Sequence, residues 1–357
     1  MTIAVPSLRA VVCAPGWVRN DLWRRARAVP SLDLRFAENK SLVDAVSGQN
    51  LITFTRASSG TYVDSAGVIR TAANDAPRSD HNPTTGESLG LLIEEQRTNL
   101  LLNSATLSTQ SVTVTAAAHT LSFTGTGTIT LSGTSTAGPL VGTGTGEANR
   151  VSLTFTPTAG TLTLTVSGTV SNAQLEVGVF RTSYIPTTDS AATRAADVAS
   201  ITGSNFSSWY SSSQGALHVE YSIPFDSSTS IFPLIAGFSD GTFNNAVLHF
   251  NRTVDDGRRA LIRNVGVSSF DQANSTAYVY GQTGRQAFAY AGSDFALSAA
   301  GASPTVSTSI AWPTVNQAGI GSTAFVGGAL SSLNGTIRRL TYFPQRLPNT
   351  TLQSLTQ

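Results

Sequence analysis

Residues 86–90 read Gly86-Glu87-Ser88-Leu89-Gly90, the spacing of a serine-hydrolase nucleophile elbow. That device needs a strand before the serine and a helix after it, so that the hydroxyl stands out on a strained turn. Here NPTTG precedes the serine and an apolar, strand-like run follows, so the pentapeptide reads as a turn feeding a strand. Glycoside hydrolysis needs two carboxylates facing each other roughly 5 to 9.5 Å apart. The adjacent pairs Glu94-Glu95 and Asp255-Asp256 do not supply this, because neighbours on a strand point to opposite faces. Arg97 follows closely enough to pair with either Glu94 or Glu95. Gly125-Thr126-Gly127 and Gly142-Thr143-Gly144-Thr145-Gly146 resemble phosphate-cradling loops, but neither leads into a helix that could hold an anion. His81, His119, His218 and His249 lack ligand-like spacing. Cys13 is the sole cysteine, so neither an internal disulfide nor a thiolate zinc site can form. The expectation is no catalytic residue, no metal and no cofactor.

Other residues suit contact better than catalysis. Trp209, Tyr210 and Trp312 are candidates for stacking on the apolar face of a pyranose, with amides and carboxylates binding its hydroxyls. The competing reading places all three in the core, since Trp and Tyr are mostly well buried. Asp240, Asn244 and Asn245 offer oxygen ligands for calcium, although hairpin turns choose the same residue types for backbone reasons. In PGWVRNDLWRRARAVP, Pro15 to Pro30, the side chains of Trp17, Arg19, Trp23, Arg24, Arg25 and Arg27 are typical interface anchors. The segment reads as a docking arm or as a loosely held terminus. Asn20 or Asp21 can cap a short helix that ends before Pro30.

Composition narrows the partners. Charged residues make up 12% of the 357 and the formal net charge is +1. Lys40 is the only lysine, so the clustered cations that release counterions from phosphates are missing and nucleic acid is set aside. Ser, Thr and Gly replace much of the usual Lys and Glu, and β-branched Thr and Val favour pleated sheet. No stretch approaches the ~20 apolar residues that span a bilayer, so no membrane insertion is expected. Pro6, Arg9 and Pro15 interrupt any signal-peptide core, and Val12 stands where a lipoprotein cysteine wants a small residue. A soluble protein made in the cytoplasm is the expectation.

Alternation then predicts the elements. Leu162, Leu164 and Val166 share one face and Thr161, Thr163 and Thr165 the other; Val151, Leu153 and Phe155, Val112 with Val114, and Ile129 with Leu131 repeat the pattern. Leu217, Val219, Tyr221 and Ile223 alternate with His218, Glu220 and Ser222. Asp240-Gly241, Asp256-Gly257 and Asn334-Gly335 suit tight hairpins. Near the C-terminus, PNTTLQSLT offers Asn349 as a cap, with Leu352 and Leu355 on one side of a short helix. The expected fold is all-β: tandem antiparallel sandwiches of jelly-roll type, with a short N-terminal arm and a short C-terminal helix. The expected divisions are an anchoring arm at 1–30, a sandwich at 31–190 that includes the turn-rich block 51–103, and a second sandwich at 191–357.

Four segments carry a resemblance: FTRASSGTYVDSAGVIRTAANDAPR; HNPTTGESLGLLIEEQRTNLLLNS; AQLEVGVFRTSYIPTT followed by TRAADVAS; and ITGSNFSSWYSSSQGALHVEYS. They resemble, in the same order, segments of tailed-phage and prophage virion structural proteins. The resemblance implies a virion appendage, such as a tail fibre, tail-tip protein or head fibre. In it a carbohydrate-binding-module-like sandwich precedes a concanavalin-like one. The closing LNGTIRRLTYFPQRLPNTTLQSLT looks like the end of a laminin-G or concanavalin-like jelly roll. No ligand residue of the group is carried over. The implied partners are other virion proteins, further copies of the chain (a homo-oligomer, with a trimer as the guess) and a bacterial surface glycan for host attachment. The alternatives are an architectural decoration subunit without ligand and a surface-polysaccharide depolymerase.

Overall fold

The computed structural model describes residues 21–225, 231–326 and 330–357. Antiparallel strands form two sandwiches, and a helix, Asn349–Leu355, closes the chain. In the larger sandwich one sheet runs Thr305–Ser307, Asp294–Ala299, Gly284–Ala291, Gln214–Ser222, Gly335–Phe343, Ser88–Ile93, Ser79–His81, with Leu32–Leu34 also paired to Gly335–Phe343. The other sheet runs Thr53–Thr55, Val198–Thr202, Gln317–Ile320, Leu234–Ser239, Ala246–Arg252, Gly257–Asn264, Val267–Ala277.

These pairings correct the expected division at 190/191. Ile337 lies opposite Leu91, and Ala199 lies opposite Phe54, so residues 31–93 belong to the same body as the C-terminal half. The smaller sandwich is an insertion within that body. It faces a four-stranded sheet (Leu140–Val141, Thr128–Gly133, Gly160–Ser167, Gln110–Val114) against a three-stranded one (Val151–Phe155, His119–Gly125, Val170–Val177). The stem where the chain enters and leaves is the pair Arg97–Asn99 and Ala192–Arg194. Alternation reveals that a strand has one buried face, but it does not say which distant strand satisfies its edge.

The four-stranded sheet of the insertion behaves as its pattern predicts, whereas the central strand of the other, His119–Gly125, is buried on both faces. Ile129, Leu131, Leu162 and Leu164 are buried around Leu121, Phe123 and Leu175, while Thr130, Thr161 and Thr165 face solvent. The larger sandwich departs from simple alternation because its sheets are covered on both sides. Leu217, Val219 and Tyr221 enter the central core. On the opposite face, His218 reaches the carbonyl of Leu355 in the closing helix. That outer face also carries Ala216, Ala289 and Phe343 against Leu352 and Leu355, together with Leu22 and Trp23 from a helix, Asp21–Ala26. Burying each such leucine is worth ~1.5–3 kcal/mol, which fixes both helices to the sheet.

Two local expectations change. Asn334 takes a positive φ of 49°, yet Asn334-Gly335 joins the two sheets and is not a hairpin turn. A tight hairpin forms instead at Val265-Gly266, with φ of 50° and 77°, between Asn264 and its partner Val267. Valine is a poor residue for that conformation, and the Asn245 side chain holds the turn by accepting from the Val265 amide at 2.8 Å. The closing helix is capped by Pro348, with no side-chain bond, and not by Asn349.

Candidate functional site

Where the insertion meets its host, charged side chains lie out of water. Arg56, Arg78 and Arg194 are each 1% exposed or less, Asp197 is fully buried and Glu94 is 5% exposed. Asp197 accepts from Arg56 at 3.0 Å, from Arg78, and from the Glu94 amide at 2.9 Å. Glu94 accepts from Arg78 at 2.8 Å and Arg194 at 3.0 Å, and from the amide and hydroxyl of Ser183 at 2.7 and 2.6 Å. Burial pushes the Glu94 carboxyl up, but Arg194 and Arg78 outweigh that and hold it at about 2. Arg97 pairs with Glu95 at 2.6 Å. Desolvation offsets much of the attraction inside such a cluster, so its main effect is to fix geometry: removing one partner strands a charge and costs ~3–5 kcal/mol.

Beside this knot lies a cleft of about 460 Å³ between the two sandwiches. Tyr62, Asp80 and His81 form one wall; Glu147, Arg150 and Arg181 form the other. Asp80 and His81 are neighbours, yet both line the cleft, beside a register shift where Ser79–His81 pairs with Ser88–Ile93 and Leu89 is the extra residue. Such a bulge bends the pairing locally. Together they clamp one residue: Asp80 accepts from the Val63 amide at 2.7 Å, and His81 Nδ1 donates to the Val63 carbonyl at 2.9 Å. Burial raises the Asp80 carboxyl; the Val63 amide pulls it back, Glu94 adds to the rise, and the result is about 7.

Opposite, Glu147 pairs with Arg150 at 3.1 Å and lies 3.8 Å from Arg181. Arg150 also donates to the Thr182 carbonyl at 3.0 Å and the Ser122 hydroxyl at 2.8 Å. Burial lowers Arg181 to about 10, with the charge of Arg150 adding to the effect. None of these groups has a local signal in the sequence: Asp80, Glu147 and Arg181 look like ordinary surface charges until the insertion folds back on its host.

Trp209, Tyr210 and Trp312 do come together, but inside an aromatic cluster. Trp209 is 4% exposed and packs against Phe206, Phe238 and Tyr342, so it offers no open ring face. This corrects its candidacy for stacking: the interior claims the largest apolar ring. Trp312 stacks on Tyr290 with centroids 3.7 Å apart and donates to the Tyr210 hydroxyl at 3.0 Å. Both Trp312 and Tyr210 remain partly open.

Trp17 and Arg19 lie outside the described residues. Trp23 is 9% exposed and donates to Asp33 at 2.9 Å, which corrects its reading as a free docking anchor. Arg24 and Arg27 are exposed and Arg25 half-buried. Asp240 satisfies its own turn through Thr242 and Asn245. Ser88 opens a strand, and no helix follows it. Among the described residues no helix is long and apolar enough to cross a membrane.

No family model and no curated protein matches the chain. Among solved structures, the CBM40 of the Ruminococcus gnavus IT-sialidase, bound to α2,3-sialyllactose, is 16% identical over 41% of this chain and 83% of its own, with a TM-score of 0.35. Domain 4 of AbnA, a GH43 extracellular arabinanase from Geobacillus stearothermophilus, in complex with arabinotriose, is 14% identical over 45% of this chain and 73% of its own, at 0.37. The NanB sialidase of Streptococcus pneumoniae is 15% identical over 43% of this chain and 26% of its own, at 0.34.

Proposed function

We propose that this protein is a non-enzymatic structural subunit of a bacteriophage particle, a fibre or spike on tail or head, that adheres to host surface glycans. The observation that carries the reading is where the phage-like segments fall. Arg56 and Arg78 lie in the first, Glu94 in the second, and Ser183, Arg194 and Asp197 in the third, and all six meet in the buried knot. Three of the four segments that resemble virion proteins are therefore the ones that seat one sandwich on the other, while the Thr-rich stretch between them is the outlying part of the insertion. A low-charge, hydroxyl-covered exterior supports adhesion to sugars over attraction to polyanions. Repetition in a homo-oligomer multiplies weak contacts.

With Trp23 committed to the fold, residues 1–20 and the exposed Arg24 and Arg27 are the parts of the anchoring segment left to act. Phage carrying a copy of the protein without residues 1–20 should assemble particles that lack it, while the purified shortened protein stays folded. Undiminished incorporation would remove the anchor from the reading. Release of reducing ends from host polysaccharide by the purified protein would replace adhesion with hydrolysis.

A further inference from the structure

Two residues that line the cleft between the sandwiches carry buried acceptors that the fold itself leaves unused. His81 is 5% exposed, and its Nδ1 hydrogen is committed to the Val63 carbonyl, so in the neutral ring the lone pair lies on Nε2; that nitrogen has no hydrogen-bond partner. Oε2 of Glu147, on the facing wall, has none either. Buried polar atoms left in this state call for an explanation, and a bound group that donates hydrogen bonds is one.

The charges of the cleft decide what kind of group. Asp80, Glu94 and Glu147 oppose Arg150 and Arg181 along its lining. Arg150 is already engaged by Glu147, Thr182 and Ser122, which leaves no pair of free guanidiniums to clamp a phosphate or a carboxylate. Glu94 is spent on Arg78 and Arg194 and Glu147 on Arg150, which leaves Asp80 and Arg181, of opposite sign, and no excess charge to select an ion. Arg181, with a side chain 38% exposed, still has donors to offer, and the Tyr62 ring supplies an apolar surface. A hydroxyl donates and accepts at once, so a polyol satisfies both kinds of vacant valence without bringing a charge. The volume lies within the roughly 300–1,000 Å³ of small-ligand sites.

We propose that this cleft, and not the Trp209–Tyr210–Trp312 cluster, is the sugar site, and that it takes an uncharged hexose or N-acetylhexosamine unit whose hydroxyls donate toward His81 and Glu147. The inference rests on the reading of the protein as a glycan adhesin and names the place and the class of sugar.

Saturation-transfer NMR on the full chain tests it, with D-galactose, D-glucose, N-acetyl-D-glucosamine and N-acetylneuraminic acid as probes. At least one neutral sugar should receive saturation. Its Kd should weaken tenfold or more in Tyr62→Ala and in Arg181→Ala, two variants at partly exposed positions whose folding is checked by thermal melting, and should stay within twofold in Trp312→Ala. Binding kept by both cleft variants, or lost in Trp312→Ala alone, overturns the site while glycan adhesion stands. Preference for N-acetylneuraminic acid overturns the ligand class. If none of the four sugars binds the wild type, the adhesin reading itself loses its support and the site falls with it.

Discussion

Arg56 donates to Asp197 at 3.0 Å across 141 residues of sequence, with both side chains fully withdrawn from water. The chain leaves the larger sandwich, builds a second one and returns between these two residues, so the pair records the closing of the insertion onto its host. Asp197→Ala leaves Arg56 and Arg78 without that counter-charge and should cost ~3–5 kcal/mol. Urea unfolding measures it. Loss of the exposed Arg70–Asp64 pair, in Arg70→Ala, should barely move the midpoint. Equal effects from the two variants would show that the knot does not hold the insertion.

Acid should weaken the larger sandwich through its buried histidines. Burial holds His249 at about 3, with His218 adding to the effect, and burial holds His218 at about 4. Both values lie below the free value of 6.5, so the neutral rings contribute stability above pH 6.5 that is lost as pH falls toward 4 and 3. The denaturation midpoint should drop between pH 6.5 and 4, and His249→Leu should flatten that slope. A wild-type midpoint that holds steady over this range refutes the assignment.

Asp80 works in the opposite direction. Its folded value of about 7 stands above the free value of 3.8, so its contribution is complete below pH 3.8 and is lost as pH rises through 7. Asp80→Asn should therefore unfold at higher denaturant than the wild type at pH 8, and the advantage should disappear near pH 4. An advantage that does not change with pH would point to a cause other than ionisation.

Gly90 has a φ of 101°, and a Cβ there would sit 2.1 Å from the carbonyl oxygen of Ile337 on the neighbouring strand. Backbone cannot yield as a side-chain tip does. Gly90→Ala should destabilise by at least about 2 kcal/mol, which thermal melting would register. An unchanged melting temperature would mean that the strand Ser88–Ile93 does not pair with Gly335–Phe343 as described.

Trp23 anchors the helix Asp21–Ala26 to the outer face of the sheet and donates to Asp33. Trp23→Ala should lower stability by ~3–5 kcal/mol, the usual loss for a large buried aromatic. Were Trp23 instead a contact to another virion protein, the purified variant would melt like the wild type and fail only on the particle.

Several things were legible from residue order alone. Period-two alternation in Leu162, Leu164 and their neighbours fixed the sheet class and the inward face of the insertion, because that pattern is set by local pleat geometry. Leu352 and Leu355 likewise marked the buried side of the closing helix. Even so, the pairing of Gly335–Phe343 with Leu32–Leu34 and Ser88–Ile93 was hidden, since strands choose partners by tertiary fit. Only the folded chain decided that residues 97–194 are inserted into one body, that Trp209 and Trp23 turn inward, and that Asp80, His81 and Glu147 face a common cleft. Burial and charge pairing belong to neighbours in space, and those neighbours stand a hundred residues or more apart for pairs such as Arg56 and Asp197.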